Sequence, residues 1–319
     1  MSEGPALRGV VPANLMLFDA ELRIDERNLR RHLRDLADTP GVAAVTTNAH
    51  ASEVATLTLE EQQRSLQIAV DEIAGKVPVI CGIYEDGSDK AAALARMAER
   101  EGADFLLVFP SAVFAMGSQH RPEMAFAHYA TVADATSLPL VVFAYPVGSG
   151  LHLETDNLAR ICAEIDNVVA VKEWTNDIVR YERNLRALKA LDKPISVLSS
   201  FSTGLLASLC VGADGILSGH GSVIADLHVA LFEAVERSDL EAAGRLAARI
   251  YPLTRVFYDD PFVDGHNRMK EALVLLDRVD EAHVRPPLQR IPARERERIA
   301  AAVAEAGLPR GRMAAPAGA

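Results

Sequence analysis

Apolar residues along this chain come in short continuous runs separated by longer segments with a helical period. The runs at 10–17, 42–47, 77–82, 103–109, 138–143, 168–171, 195–198 and 213–217 read as eight buried strands. Helical patterns fill the gaps at 25–37, 58–74, 88–101, 122–136, 155–164, 177–191 and 202–211, and an eighth follows at 224–236. Several starts carry their own signals. Asp25 opens the first helix, Thr58 and Glu61 form a capping box, and Ser88 is placed to cap the third. Such alternation predicts parallel strands with helical crossovers. Eight units in roughly 230 residues match an α/β fold of the (β/α)8 TIM-barrel type, whose usual size is about 250 residues. An open doubly wound sheet is the competing architecture, but it normally carries a glycine-rich loop after its first strand, and residues 12–20 contain none. Beyond Asp239 the pattern is helical only, at about 240–257, 264–277 and 294–306. The expected organisation is therefore a catalytic barrel over 1–237 and a helical extension over 238–319, ending in a frayed tail from Leu308.

Composition narrows the function classes. The chain has 319 residues, 49% hydrophobic and 24% charged, as expected of a globular protein. A formal net charge of −11 argues against nucleic acid or an anionic membrane surface as partner. It leaves room for an anionic small molecule, because a local cluster can oppose the average. Cys81, Cys162 and Cys210 are far apart and lack metal-ligand spacing, which points to free thiols in a reducing compartment. The first residues contain no apolar leader segment and no run reaches membrane-spanning length, so a cytoplasmic location is expected.

In a barrel of this kind the chemistry sits at the C-terminal ends of the strands. Those positions hold Asn48, His50 and Glu53, then Tyr84 and Glu85, Pro110 and Ser111, Tyr145, Lys172 and Glu173, Ser199 and Ser200, and finally Ser218 and His220. Lys172 stands out because it ends an apolar strand. Burial there lowers the pKa of an amine, and a neutral amine attacks carbonyls. The alternative is a lysine that snorkels its charge to solvent, paired with Glu173. The other lysines, Lys76, Lys90, Lys189, Lys193 and Lys270, fall in helices or at the opposite end, which favours a chemical role for Lys172.

Val169 to Glu173, reading Val-Ala-Val-Lys-Glu, resembles the Schiff-base strand of the dihydrodipicolinate synthase and N-acetylneuraminate lyase family of pyruvate-dependent class I aldolases. Glu53 with the stretch Ala55 to Glu61, reading Ala-Thr-Leu-Thr-Leu-Glu-Glu, resembles the end of that family's Gly-Thr-Thr-Gly-Glu loop and its entry into the second helix. Gly212 to Ser218, Met269 to Leu273 and Arg285 to Leu288 are similar to its eighth strand and C-terminal helices. The resemblance spans nearly the whole chain. It implies a homotetramer, a small-molecule 2-oxo acid substrate, Lys172 as the imine-forming residue, and no metal or organic cofactor.

The departures concern the proton relay. Where the family has Gly-Thr-Thr-Gly-Glu, this chain has Ala49-His50-Ala51-Ser52-Glu53. The tyrosine expected at the end of strand five aligns with Phe143, and Tyr145 follows two positions later. The arginine that binds a second carboxylate in the synthases aligns with Gly148, and the aromatic pair after strand four is replaced near Ser111 and Ala112. His50 and Tyr145 are the substitutes that could carry the proton, and each has a plain alternative: a hydrogen-bonded loop histidine and an aromatic packed beside Pro146. Ala51, Ser52, Phe143, Leu217, Gly219 and His220 occupy expected substrate-binding positions, the last two in a loop whose N–H groups can face an anion or simply precede a helix capped by Ser222. Ser199 and Ser200 are weaker candidates for holding substrate hydroxyls. Glu53 and Glu173 are expected to support the site, and His50, Glu53 and His220 lack metal-ligand spacing.

Two function classes follow: a lyase or aldolase, with an acceptor bulkier or more apolar than the synthase's, or a retired barrel that binds a keto or sugar acid as a sensor or interaction module. Losing the arginine and two relay hydroxyls predicts little synthase activity, since acid–base assistance alone is worth about 10²–10⁴-fold. In a coupled-reductase assay with pyruvate and aspartate semialdehyde, kcat/KM should lie far below about 10⁴ M⁻¹s⁻¹. A value in that range would defeat this expectation.

Overall fold

The computed structural model describes residues 7–311. The N-terminal residues searched for a leader and the end of the tail, 312–319, lie outside the described residues. Eight strands form one parallel sheet: β1 (Gly9–Pro12), β2 (Val45–Thr47), β3 (Val79–Ile83), β4 (Phe105–Val108), β5 (Leu140–Ala144), β6 (Val168–Glu173), β7 (Ser196–Ser199) and β8 (Gly215–Ser218). β1 pairs with β8 along its length, and single bridges from Val10 to Val42 and from Ala13 to Thr46 bring it against β2. The sheet therefore curls into a nearly closed barrel, which rules out the open-sheet alternative.

The crossover helices are α1 (Glu26–Ala37), α2 (Leu59–Ile73), α3 (Ser88–Arg100), α4 (Pro122–Ala133), α5 (Thr155–Glu164), α6 (Ile178–Lys189), α7 (Leu205–Cys210) and α8 (Gly221–Glu236). Among the described residues three further helices follow, α9 (Leu240–Phe257), α10 (Gly265–Leu275) and α11 (Ala293–Glu305). Strand residues are buried on both faces, inward by the barrel interior and outward by helices, which is why they read as continuous apolar runs rather than alternating ones. The Asp25 cap and the reciprocal Thr58–Glu61 box are both formed.

Several local expectations need correction. β1 ends at Pro12; Ala13 and Asn14 still donate to the Ser218 and Thr46 carbonyls at 3.2 and 2.9 Å, and the chain then turns away, the Leu15 N–H donating to His32 Nε2 at 3.2 Å. Ser88 does not cap α3; Gly87 holds the cap position, and the Ser88 hydroxyl lies 3.0 Å from His128 Nδ1. Ser222 does not cap α8, which starts at Gly221 and kinks at Ile224; its hydroxyl donates to the Ala13 carbonyl. β6 runs through Lys172 and Glu173, so the lysine lies within the strand. The described part of the expected frayed tail is tied down: the Gly311 N–H donates to the Leu276 carbonyl at 2.7 Å, and Arg278 reaches the carbonyls of Pro309 and Gly311.

The C-terminal helices reach back to the barrel mouth through one buried ion pair. Glu53 adopts a left-handed backbone conformation (φ 48°, ψ 37°), which is costly for a residue with a Cβ. Its carboxylate pairs with Lys270 of α10 and accepts the Arg285 N–H at 3.3 Å, while Lys270 also donates to the His283 carbonyl at 2.8 Å. Arg285 in turn chelates Glu61 and the Leu22 carbonyl. Glu53 and Lys270 are both buried, so removing one partner strands the other charge in low dielectric. Lys270→Ala should lower the free energy of urea unfolding by about 3–5 kcal/mol. A loss below about 1 kcal/mol, the level of an exposed pair, would show that the pair does not anchor the α10 segment.

Candidate active site

Lys172 lies on the barrel-inward face of β6, beside Phe143 of β5 and Leu198 of β7 in the strand register. Its neighbour Glu173 necessarily points the other way. The Glu173 carboxylate accepts from Asn184 of α6 at 3.0 Å and from the Thr175 N–H and hydroxyl at 3.2 Å, outside the barrel. Pairing with Glu173 is thereby corrected: the two side chains lie on opposite faces of the sheet. Among the described residues no carboxylate lies within ion-pair distance of Lys172. Its Nζ sits 3.9 Å from the Phe143 ring centroid, a cation–π contact that offsets only part of the lost hydration. Burial pulls its pKa down to about 7.

His50 stands across from it, in the turn after β2. Its Nε2 is 2.8 Å from the Tyr145 hydroxyl, and which atom donates depends on the tautomer. Tyr145 lies two residues beyond Phe143 on the same face, with ring centroids 4.5 Å apart. Burial, then the charge of Lys172 and then His266, holds the His50 pKa down at about 3, and burial pushes the Tyr145 phenol up. At neutral pH the couple is therefore uncharged. Phe109, Tyr84 and Trp174 close the ring of aromatics around His50, at centroid distances of 5.0, 6.2 and 6.2 Å.

Lys172, His50, Phe143 and Trp174 face a cleft that is also lined by Ala13, Ala49, Ala51, Ser200, Gly219, Tyr258, Phe262 and His266. Gly219 keeps it open: a Cβ there would lie 2.9 Å from His266 Nε2 and 3.3 Å from the Ala51 Cβ. Lys172 is the one lysine or arginine in this lining. Gly148 lies exposed in the turn at Val147–Ser149.

A model of the dihydrodipicolinate synthetase family matches residues 6–306. The chain belongs to the dihydrodipicolinate synthetase family. It is 30% identical over 287 residues to a 4-hydroxy-tetrahydrodipicolinate synthase of Methanopyrus kandleri, covering 90% of this chain and 92% of that one. It is also 30% identical over 302 residues to an uncharacterised DapA-like lyase of Halobacterium salinarum, covering 95% of each. Among solved structures it resembles a prophage protein of E. coli K12 from the same family, determined in complex with pyruvate, with a TM-score of 0.86, 21% identity and coverage of 94% and 98%. At that identity the likeness concerns the fold.

Within this family member, the expected residues separate into two groups. Lys172, His50, Ala51, Phe143 and Gly219 share the cleft, with Tyr145 joined to it through His50. Ser52 is buried beneath it, its hydroxyl donating to the Asn14 carbonyl at 2.9 Å. Leu217 is fully buried in β8, outside the cleft lining. His220 is likewise outside it: its ring packs edge-on against His228, Phe257 and Tyr258, and its N–H goes to the Ser218 hydroxyl at 3.1 Å, which leaves it unavailable to an anion. Ser199 turns outward to Ser208 at 2.6 Å, whereas Ser200 reaches the cleft. Tyr258, Phe262 and His266, all from the C-terminal segment, were not anticipated. The legible signal was an aromatic in the short Asp-Asp-Pro-Phe break between two helical patterns.

The depressed Lys172 pKa has a direct consequence for reactivity. Below pH 7 the amine is protonated and unreactive, and above it the neutral form predominates. The rate of adduct formation between Lys172 and a carbonyl reagent should rise through a midpoint near pH 7 and level off above it. A midpoint near 10, the range of an ordinary lysine, would mean the amine is solvated.

Proposed function

We propose that this protein is a lysine Schiff-base lyase, or aldolase, acting on pyruvate or a related 2-oxo acid. The observation that carries the reading is the unpaired, desolvated Lys172 amine at the floor of an aromatic cleft. In this scheme the amine attacks C2 of the keto acid, and loss of water leaves an imine. The protonated imine takes up the electron pair of the bond broken at C3, which is C–H in synthesis and C–C in cleavage; the enamine so formed attacks an acceptor carbonyl or is reprotonated at C3, and the same electron sink assists dehydration. In this reading the substrate carboxylate lies along Ala51 and Gly219, which both line the cleft. No metal or organic cofactor takes part.

Tyr145 and His50 move the protons. Because His50 is held neutral beside Lys172, it is poorly suited to store a full positive charge. The 2.8 Å contact instead suits a relay in which the phenol gives a proton as the imidazole passes one on. Phe143 stands where the family's hydroxyl is expected and supplies no proton, so in this reading the task passes to Tyr145, just beyond the end of β5, and to His50 in the turn after β2.

The resemblance to the aldolase family supports a homotetramer, and the three free thiols suit a reducing cytoplasm. Among the described residues no helix is long and apolar enough to cross a membrane. The apolar Phe143 ring beneath Lys172 is the observation that favours the second reading, a retired barrel that binds keto acids without turnover.

One experiment separates the two. Borohydride reduction with pyruvate should add a reduced pyruvyl group to the peptide bearing Lys172, read by mass spectrometry, and Lys172→Ala should abolish it. His50→Ala should retain that adduct while lowering turnover about 10²–10⁴-fold. No adduct with pyruvate or other 2-oxo acids would sink the lyase reading, and loss of the adduct in His50→Ala would overturn the relay role.

A further inference from the structure

We propose that the acceptor half of the site is an aromatic slot supplied by the C-terminal segment, that it takes an uncharged aryl aldehyde, and that His266 reads a polar substituent on its ring. This rests on the Schiff-base reading and names the second substrate of the same site. Trp174, just after β6, stacks on Phe262 with centroids 5.6 Å apart and an interplanar angle of 25°. Phe262 stacks in turn on Tyr258, at 5.9 Å and 26°. The Tyr258 ring also packs edge-on against His220, at 5.7 Å and 80°, which backs the inner end of the stack. Phe262 is 43% exposed and forms the lip of the cleft, an apolar ring left open to solvent until something flat covers it.

Charge selects in the same direction. Lys172 is the one cationic side chain in the lining, and imine formation with the keto acid uses it. A carboxylate on the acceptor would enter the aromatic slot with no cation to meet it, and desolvating it there is unfavourable. His266 does not supply that cation at neutral pH, because burial and the charges of Lys172 and Lys270 hold it neutral. A neutral imidazole offers one donor and one acceptor, which suits a hydroxyl or carbonyl on an uncharged ring. Tyr258, Phe262 and His266 recur every four residues across the α9–α10 junction. Lys270, one step further, is locked to Glu53 beside the turn that carries His50. The same ion pair thus sets the acceptor slot against the proton relay.

In the bond-forming direction, C3 of the enamine bonds to the aldehyde carbon. The carbonyl electron pair moves to oxygen, which takes a proton from the relay. Water then hydrolyses the imine, releasing a 4-aryl-4-hydroxy-2-oxo acid and free Lys172. Cleavage is the reverse.

The test uses the full-length protein with pyruvate and each of benzaldehyde, the hydroxybenzaldehydes and succinic semialdehyde, with products quantified by mass spectrometry. Aryl aldehydes should be preferred over the carboxylated one in kcat/KM. Phe262→Ala should reduce that preference roughly fivefold to tenfold, the worth of one ring–ring contact. His266→Leu should reduce the preference for the best hydroxybenzaldehyde over benzaldehyde roughly threefold to tenfold, and His266→Gln should restore most of it. Each comparison is a ratio within one protein preparation, so partial misfolding does not imitate it. Pyruvate trapped at Lys172 with the carboxylated aldehyde preferred, or with neither ratio moved by the variants, overturns the slot and leaves the lyase reading standing. No trapped pyruvate at all overturns both.

Discussion

A primary amine buried without a counter-charge is the constraint around which this site is arranged. Lys172 is 4% exposed, and its neighbours in the strand register are the apolar Phe143 and Leu198. The only carboxylate adjacent in sequence, Glu173, is turned to the opposite face by the strand geometry and occupied by Asn184 and Thr175. Strand alternation therefore keeps the amine unpaired in a way that no flexible loop would. A partnered lysine would stay protonated; this one is held near the point where its neutral form is available at physiological pH.

The rest of the cleft respects that constraint by remaining uncharged. His50 and His266 are both held neutral, in part by the Lys172 charge itself, and Tyr145 is kept protonated by burial. Polar groups are present, but they act as hydrogen-bonding dipoles within a frame of aromatic rings. Full charges have been moved one layer back. The Glu53–Lys270 pair, with Arg285 and Glu61 behind it, holds the turn after β2 against α10 and fixes a left-handed residue that would otherwise be costly. Two elements far apart in sequence are thus tied at the mouth of the barrel, one carrying His50 and the other His266.

Much of the fold was legible along the chain. The eight apolar runs, the intervening helical periods, the Asp25 cap and the Thr58–Glu61 box are local signals, and each corresponds to an element of the barrel. Element ends were less legible, because they depend on where a neighbouring segment takes over a hydrogen bond. Leu15 turns to His32, and Ser88 and Ser222 give their hydroxyls to distant partners instead of capping their own helices. In the site, Lys172 was marked by its apolar strand and His50 and Tyr145 by their rim positions. His220 was marked by the same logic, yet it packs among Phe257, Tyr258 and His228 instead.

The sequence by itself determined the barrel and the residue that carries the amine, since both follow from periodicity and from a charged group placed in an apolar run. It also determined that the usual relay hydroxyls are missing, because that is a matter of residue identity. Only the tertiary structure decided which polar groups stand near the amine in their absence. The meeting of His50 with Tyr145 depends on closing a sheet in a particular register, and the stack of Trp174, Phe262 and Tyr258 depends on folding a C-terminal segment over the barrel mouth. The His50–Tyr145 and Trp174–Phe262 contacts join residues far apart along the chain, so no local pattern encodes them.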